Sequence, residues 1–137
     1  VSQRGTGETS GSVRLMTVAV SYSSNPEGRH ALATATAEAQ ARGSRLVVVA
    51  SAPRDEAAQS AGLGELRDRL VRLGLDHEVV EVSGDLAEGL VTVAAQADAE
   101  LIVIGLRRRS PVGKLVLGAG AQRILLESPC AVLAVKS

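Results

Sequence analysis

Residues 101–137 read LIVIGLRRRSPVGKLVLGAGAQRILLESPCAVLAVKS, and the alternation inside them decides the fold. An apolar run from Leu101 to Ile104 stops at Gly105, the pattern of a short buried parallel strand that delivers the chain to a site at its carboxyl end. Three consecutive arginines follow, Arg107 to Arg109, and then Gly113, Gly118 and Gly120. A helical pattern resumes after Gly120 with Ile124, Leu125 and Leu126 and ends near Ser128 and Pro129. A second apolar run, Ala131 to Val135, comes next. Strand, glycine loop, helix and strand make one βαβ unit, whose loop can hold an anion at the amino end of the next helix.

Upstream, the same alternation repeats. Leu15 to Val20 reads as a first strand, apolar on both faces, and it breaks at the turn-forming run Ser21-Tyr22-Ser23-Ser24-Asn25-Pro26. Pro26 and Glu27 open a helix to about Arg42, with a proline and an acid where a helix start favours them. Ala31, Leu32, Ala35 and Ala39 form its small-residue inner face, and Gly43 ends it. Leu46 to Ala50 is the second strand, followed by Ser51 and a surface segment. A helix is expected from about Ala57 or Gly64 to Leu73, with Leu63, Leu66, Leu70 and Leu73 at helical spacing. His77 to Val82 is the third strand, and its charged residues mark a sheet edge. Gly84 and Asp85 lead into a helix from Leu86 to about Ala97, with Leu90, Val93 and Ala94 inward. Residues 1–13 hold Gly, Ser and Thr with almost nothing to bury and read as a disordered arm outside the fold. The expectation is therefore one α/β domain over residues 14–137, a doubly wound five-stranded parallel sheet with helices on both faces.

Composition narrows the function. The chain has 137 residues, enough for one domain that buries about two-thirds of its unfolded surface. Lysine plus arginine and aspartate plus glutamate balance at 15 each, so no long-range field favours nucleic acid or an anionic membrane. Tyr22 is the only aromatic residue, which argues against single-strand binding by base stacking. No run reaches the ~18 apolar residues of a membrane span. One cysteine, Cys130, excludes an internal disulfide and fits a reducing interior, hence a cytoplasmic protein.

From Leu15 onward the chain resembles a universal stress protein domain. Gly84-Asp85 and the run Asp98-Ala99-Glu100-Leu101-Ile102-Val103-Ile104-Gly105 resemble that family's third helix and fourth strand. Ser128-Pro129-Cys130-Ala131-Val132-Leu133-Ala134-Val135 resembles its last turn and strand. The resemblance implies strand order 3-2-1-4-5 and a homodimer formed through the final strand. It also implies an ATP site at a motif of glycine, two residues, glycine, nine residues, glycine, then serine or threonine.

The motif is half kept. Gly105 and Gly118 occupy the first and third glycine positions, Arg108 stands at the second, and Ala119 stands at the hydroxyl position. Ser21 sits where many members carry an aspartate. Arginine at the second position disfavours positive φ but brings a guanidinium that pairs with phosphate. A lost hydroxyl removes one hydrogen bond to a charged group, ~1.5–3 kcal/mol if buried, or roughly one to two decades of affinity. The candidate nucleotide-binding residues are therefore Ser21, Tyr22, Ser51, Gly105, Arg108, Gly118, Ala119 and Gly120. Gly118 and Gly120 at a helix start suggest close approach by a ligand or by another helix.

Plainer readings stand beside these. The arginines fit a solvated basic loop, Tyr22 fits packing, and Ser21 fits a turn cap. Cys130 fits a small buried filler. Asp85 and Glu88 are explained by the helix dipole. Lys114 follows Gly113, but Leu115 stands where a P-loop needs Ser or Thr. His30 and His77 are isolated, so no metal site is expected. No nucleophile has an identifiable base, so no catalytic residues are assigned. Three functions remain: a stress-response protein binding adenine nucleotide weakly, a nucleotide-free homodimeric interaction module, and a weak nucleotide hydrolase.

Overall fold

The structure, a computed structural model, describes residues 16–23, 25–52, 56–106 and 118–136. Residues 1–13 and the loop holding Arg107, Arg108, Arg109, Gly113 and Lys114 lie outside the described residues. Strands β1 (Thr17–Ser21), β2 (Arg45–Ser51), β3 (His77–Val82), β4 (Leu101–Leu106) and β5 (Ala131–Lys136) alternate with four helices. These are α1 (Pro26–Arg42), α2 (Glu56–Arg72), α3 (Leu86–Gln96) and α4 (Ala119–Glu127). All strands pair in parallel in the order β3-β2-β1-β4-β5. The fold is the expected doubly wound α/β sheet.

Pleating explains the two cores. On β1, Val18 and Val20 face α1 and α2 together with Leu46, Val48, Ala50 and Val103. Ala19 faces α3 and α4 with Val47, Val49, Ile102 and Ile104. Both faces of β1, β2 and β4 are buried, which is why these strands read as unbroken apolar runs. Burying each Val or Leu side chain fully contributes roughly 1.5–3 kcal/mol.

Local chemistry sets the helix ends. In α1, Asn25 Oδ1 accepts from the Gly28 N–H at 2.7 Å and Pro26 holds the first turn, while Gly43 stops the helix at φ 65°. In α3, Asp85 Oδ1 accepts from the Ala87 N–H at 3.2 Å. Three expectations need correction. Helix α2 begins at Glu56 and ends at Arg72, and Leu73, after its last turn, is 45% exposed rather than inward. Strand β1 runs on through Ser21. Helix α4 begins at Ala119, so Gly120 lies inside it, and of its apolar residues only Ile124 is buried; Leu126 is 85% exposed.

Candidate functional site

A parallel sheet delivers every strand's carboxyl end, and every following helix's amino end, to one side of the molecule. In order 3-2-1-4-5 the chain leaves β1 toward one edge and β4 toward the other, so the connections part between them. A crevice at such a switch is the usual ligand site of the fold class. Here it is a cleft of about 320 Å³, at the small end of ligand pockets.

Three helix starts meet around it: Asn25 to Gly28 of α1, Asp85 to Ala87 of α3, and Gly120 and Ala121 of α4. Ser21 and Ser23 come from the end of β1, and Ile104 and Gly105 from the end of β4. Leu90, Ala31 and Ile124 give it an apolar floor. Among the described residues, the polar residues lining it are Ser21, Ser23, Asn25, Glu27 and Asp85.

The helix starts are treated differently. Asn25 caps α1 and Asp85 caps α3, and each has an acid in its first turn, Glu27 and Glu88. Helix α4 begins at Ala119 after Gly118 in extended conformation, with no side-chain cap and no acid in its first turn. Its amino end therefore faces the cleft with its dipole unmatched by any carboxylate of its own. Arg123, one turn further on, ties α4 to α3. Its guanidinium donates to Glu88 at 2.8 Å, Asp85 at 3.1 Å and Glu127 at 3.3 Å. The hydrogen bond to Glu127, then the carboxylates of Glu127, Glu88 and Asp85, raise its pKa above the usual arginine value. The tie stays charged at any working pH.

Of the candidate residues, Ser21, Gly105 and Gly120 line the cleft together. Gly118 and Ala119 stand at the start of α4 beside it. Ser51 ends β2 opposite Val82, away from the cleft lining. Tyr22 turns to the other side of the sheet, packing on the α1/α2 core with its hydroxyl against Gly62 of α2. Arg108 is outside the described residues.

The glycines divide by cause. A Cβ on Gly105 would collide with the Glu27 carbonyl oxygen and lie 2.7 Å from its carbonyl carbon. This glycine lets α1 settle onto the end of β4. A Cβ on Gly120 would sit 3.6 Å from the Ala87 Cβ, an ordinary contact, and one on Gly118 would meet nothing within 4 Å. Among the described residues, the space beside Gly118 at the start of α4 is thus open. Sequence reasoning took Asn25 as a turn former, Glu27 as a helix-start acid and Asp85 as a match for the helix dipole, and placed none of them at a site. The Asn-Pro-Glu run announced a helix start, but its place on the cleft needed the strand order. Cys130 is half-buried, with its sulfur 3.7 Å from Ser128 Oγ.

The model of the Universal stress protein family matches residues 14–136. The chain belongs to the universal stress protein family. It is 43% identical over 125 residues to a universal stress protein of Mycolicibacterium smegmatis, covering 87% of this chain and 96% of that one. A universal stress protein structure from Archaeoglobus fulgidus aligns with TM-score 0.72 and 27% identity, covering 90% of this chain and 100% of that one. A universal stress protein solved in complex with cAMP aligns with TM-score 0.71 and 25% identity, covering 89% of this chain and 97% of that one. Among the described residues no helix is long and apolar enough to cross a membrane.

Proposed function

We propose that this universal stress protein is a cytoplasmic stress-response protein that binds an adenine nucleotide weakly in the cleft at the carboxyl ends of β1 and β4. The single observation that carries the reading is the start of α4: among the described residues it is open beside Gly118, without a side-chain cap, and bordering a cleft shared with Ser21, Gly105 and Gly120. Backbone N–H groups in such a setting favour a phosphoryl oxygen. The cAMP complex of a 25%-identical relative supports the ligand class. The reading takes residues 14–137 as the ligand-binding domain, with residues 1–13 outside it. Ala119 in place of a hydroxyl residue makes the expected affinity for ATP or its relatives modest. Arg108 would add charge from the loop. Mass spectrometry of small molecules released on mild denaturation, followed by calorimetric titration, tests the reading. Adenine nucleotide released or bound supports it; no release and no heat at millimolar ligand refutes it.

A second reading is favoured by the contrast between the sheet edges. The β3 edge carries exposed Glu78 and Glu81, whereas β5, AVLAVK, presents an apolar edge bonded only to β4 among the described residues. An unguarded edge invites strand pairing. In this reading the protein is a homodimer through β5 that acts as an interaction module. Light scattering after size exclusion checks it: a dimer mass is expected, and monomer at micromolar concentration counts against it.

A further inference from the structure

Among the described residues, α4 is the least anchored helix around the cleft. Helices α1 and α3 each bury four side chains, whereas α4 buries only Ile124. One buried side chain is a pivot: it holds a helix against the sheet but leaves its slide and tilt to other contacts. The carboxyl end of α4 is held by its turn into β5, where the Cys130 N–H donates to Ser128 Oγ at 3.2 Å. The amino end is held across to α3. A Cβ on Gly120 would stand 3.6 Å from the Ala87 Cβ, so the first turns of the two helices lie side by side. One turn on, the Arg123 guanidinium divides its donors by direction. Nη1 donates to Asp85 Oδ2 at 3.1 Å and Nη2 to Glu88 Oε2 at 2.8 Å, both on α3, while Nε donates to Glu127 Oε1 at 3.3 Å within α4. Asp85 serves both helices, because its other oxygen, Oδ1, accepts from the Ala87 N–H as the cap of α3.

We infer that Arg123 is a positioning residue for the cleft: its guanidinium clamps the first turn of α4 to the first turn of α3 and so fixes where the α4 backbone N–H groups stand. This rests on the nucleotide reading given above. Arg123 is not among the residues lining the cleft, so it acts through α4 and not on the ligand. The planar fork suits the task, because two of its nitrogens reach two carboxylates three residues apart on one side of α3. Without the clamp, α4 keeps its pivot at Ile124 and its amino end takes other placements. A ligand that needs the docked placement then binds more weakly by the fraction of molecules in which α4 is docked. Partly exposed pairs are individually weak, so the two interhelical pairs together give an expected loss of about fivefold in affinity. Salt lowers the contribution of the clamp, because screening acts on exposed charges.

The experiment is calorimetric titration of the full chain with AMP and ATP at low salt, on the natural protein, Arg123→Gln, Glu88→Gln, Glu127→Gln and the double variant Arg123→Gln/Glu88→Gln. All keep the loop before α4 intact. Arg123→Gln is expected to weaken binding about fivefold, and Glu127→Gln, which removes only the pair within α4, to change it less than about twofold. Adding Glu88→Gln to Arg123→Gln should cost nothing further, since both remove the same contact. Backbone amide spectra of the ligand-free proteins supply a second readout. Glu88→Gln, on α3, should shift the amides of Ala119 and Gly120, and should no longer do so once Arg123 is replaced. Natural affinity in Arg123→Gln overturns the inference while leaving the nucleotide reading intact. Equal losses in Glu127→Gln and Arg123→Gln, or additive losses in the double variant, also overturn it, because the effect then belongs to the helix itself and not to its clamp. Silence of the natural protein toward both ligands at millimolar concentration overturns the nucleotide reading and this inference together.

Discussion

The two ends of the sheet show opposite solutions to the same dipole problem. At the amino end, where helices finish, polar side chains satisfy the chain, around a cleft of about 400 Å³ lined by Gly43, Arg45, Gly74 and Asp76. Arg42, in the last turn of α1, pairs with Glu38 and Glu100 at 3.0 and 3.2 Å. Ser44 donates to Glu100 at 2.7 Å, and Arg45 donates to Glu78 at 2.8 Å. The hydrogen bond to Glu38 and the charge of Glu100 hold the Arg42 pKa above its usual value. Helix α1 ends there on Gly43 in the left-handed region. At the carboxyl end, α1 and α3 have side-chain caps and α4 does not, and among the described residues a cleft lies between them. The amino end uses polar side chains to satisfy the backbone; at the carboxyl end, among the described residues, the start of α4 has no side-chain cap. The proposed function therefore places the stabilising ion pairs at one end of the sheet and the ligand at the other, as is common where a rigid scaffold carries a site.

Substitutions can break or sharpen that contrast. The largest effect is expected at Gly105, where a side chain would meet the Glu27 backbone. Gly105→Ala should lose about 2 kcal/mol of stability through overpacking, read as a lower urea midpoint, and should weaken ligand binding because α1 must shift. Ala119→Ser works the other way at the same end. It supplies a hydroxyl at the start of α4 and should tighten nucleotide binding about tenfold, measured calorimetrically, with little change in the unfolding midpoint. Gly43→Ala forces a side chain into the left-handed region and should lose about 1 kcal/mol while leaving ligand affinity unchanged, since it sits at the opposite end. Arg45→Ala removes partly exposed ion pairs to Asp76 and Glu78. Such pairs are worth about 0.5 kcal/mol, so a small midpoint shift that vanishes in high salt is expected. A Gly43 or Arg45 variant that altered ligand affinity as much as Gly105→Ala would dissolve the distinction between the ends.

The sequence made the sheet legible because both faces of its central strands are buried, so Leu46 to Ala50 and Leu101 to Ile104 stand out as continuous apolar runs. Helix starts were legible wherever a capping residue announced them, as at Asn25-Pro26 and Asp85. The start of α4 was read two residues late because Gly118 caps without a side chain and Gly120 reads as a helix breaker. Leu73 misled because helical spacing continues past the turn that ends α2. The site was legible only in part. Ser21, Gly105 and Gly120 could be placed at strand and helix ends from spacing. Tyr22, next to Ser21, points to the opposite face, which a period-two strand predicts but a loop reading of Ser21-Tyr22 obscures. The role of Gly105 in seating α1, and the sharing of Arg123 between two helices, are contacts between segments far apart in the chain. No local pattern carries them.

The most direct test of the central claim is a titration of the labelled full chain with AMP, followed through backbone amide chemical shifts. The account predicts shifts concentrated at Ser21, Gly105, Gly120 and Ala121, with Gly43, Gly74 and Arg45 unmoved. No shifts at millimolar AMP, or shifts gathered at the amino end of the sheet, would contradict it.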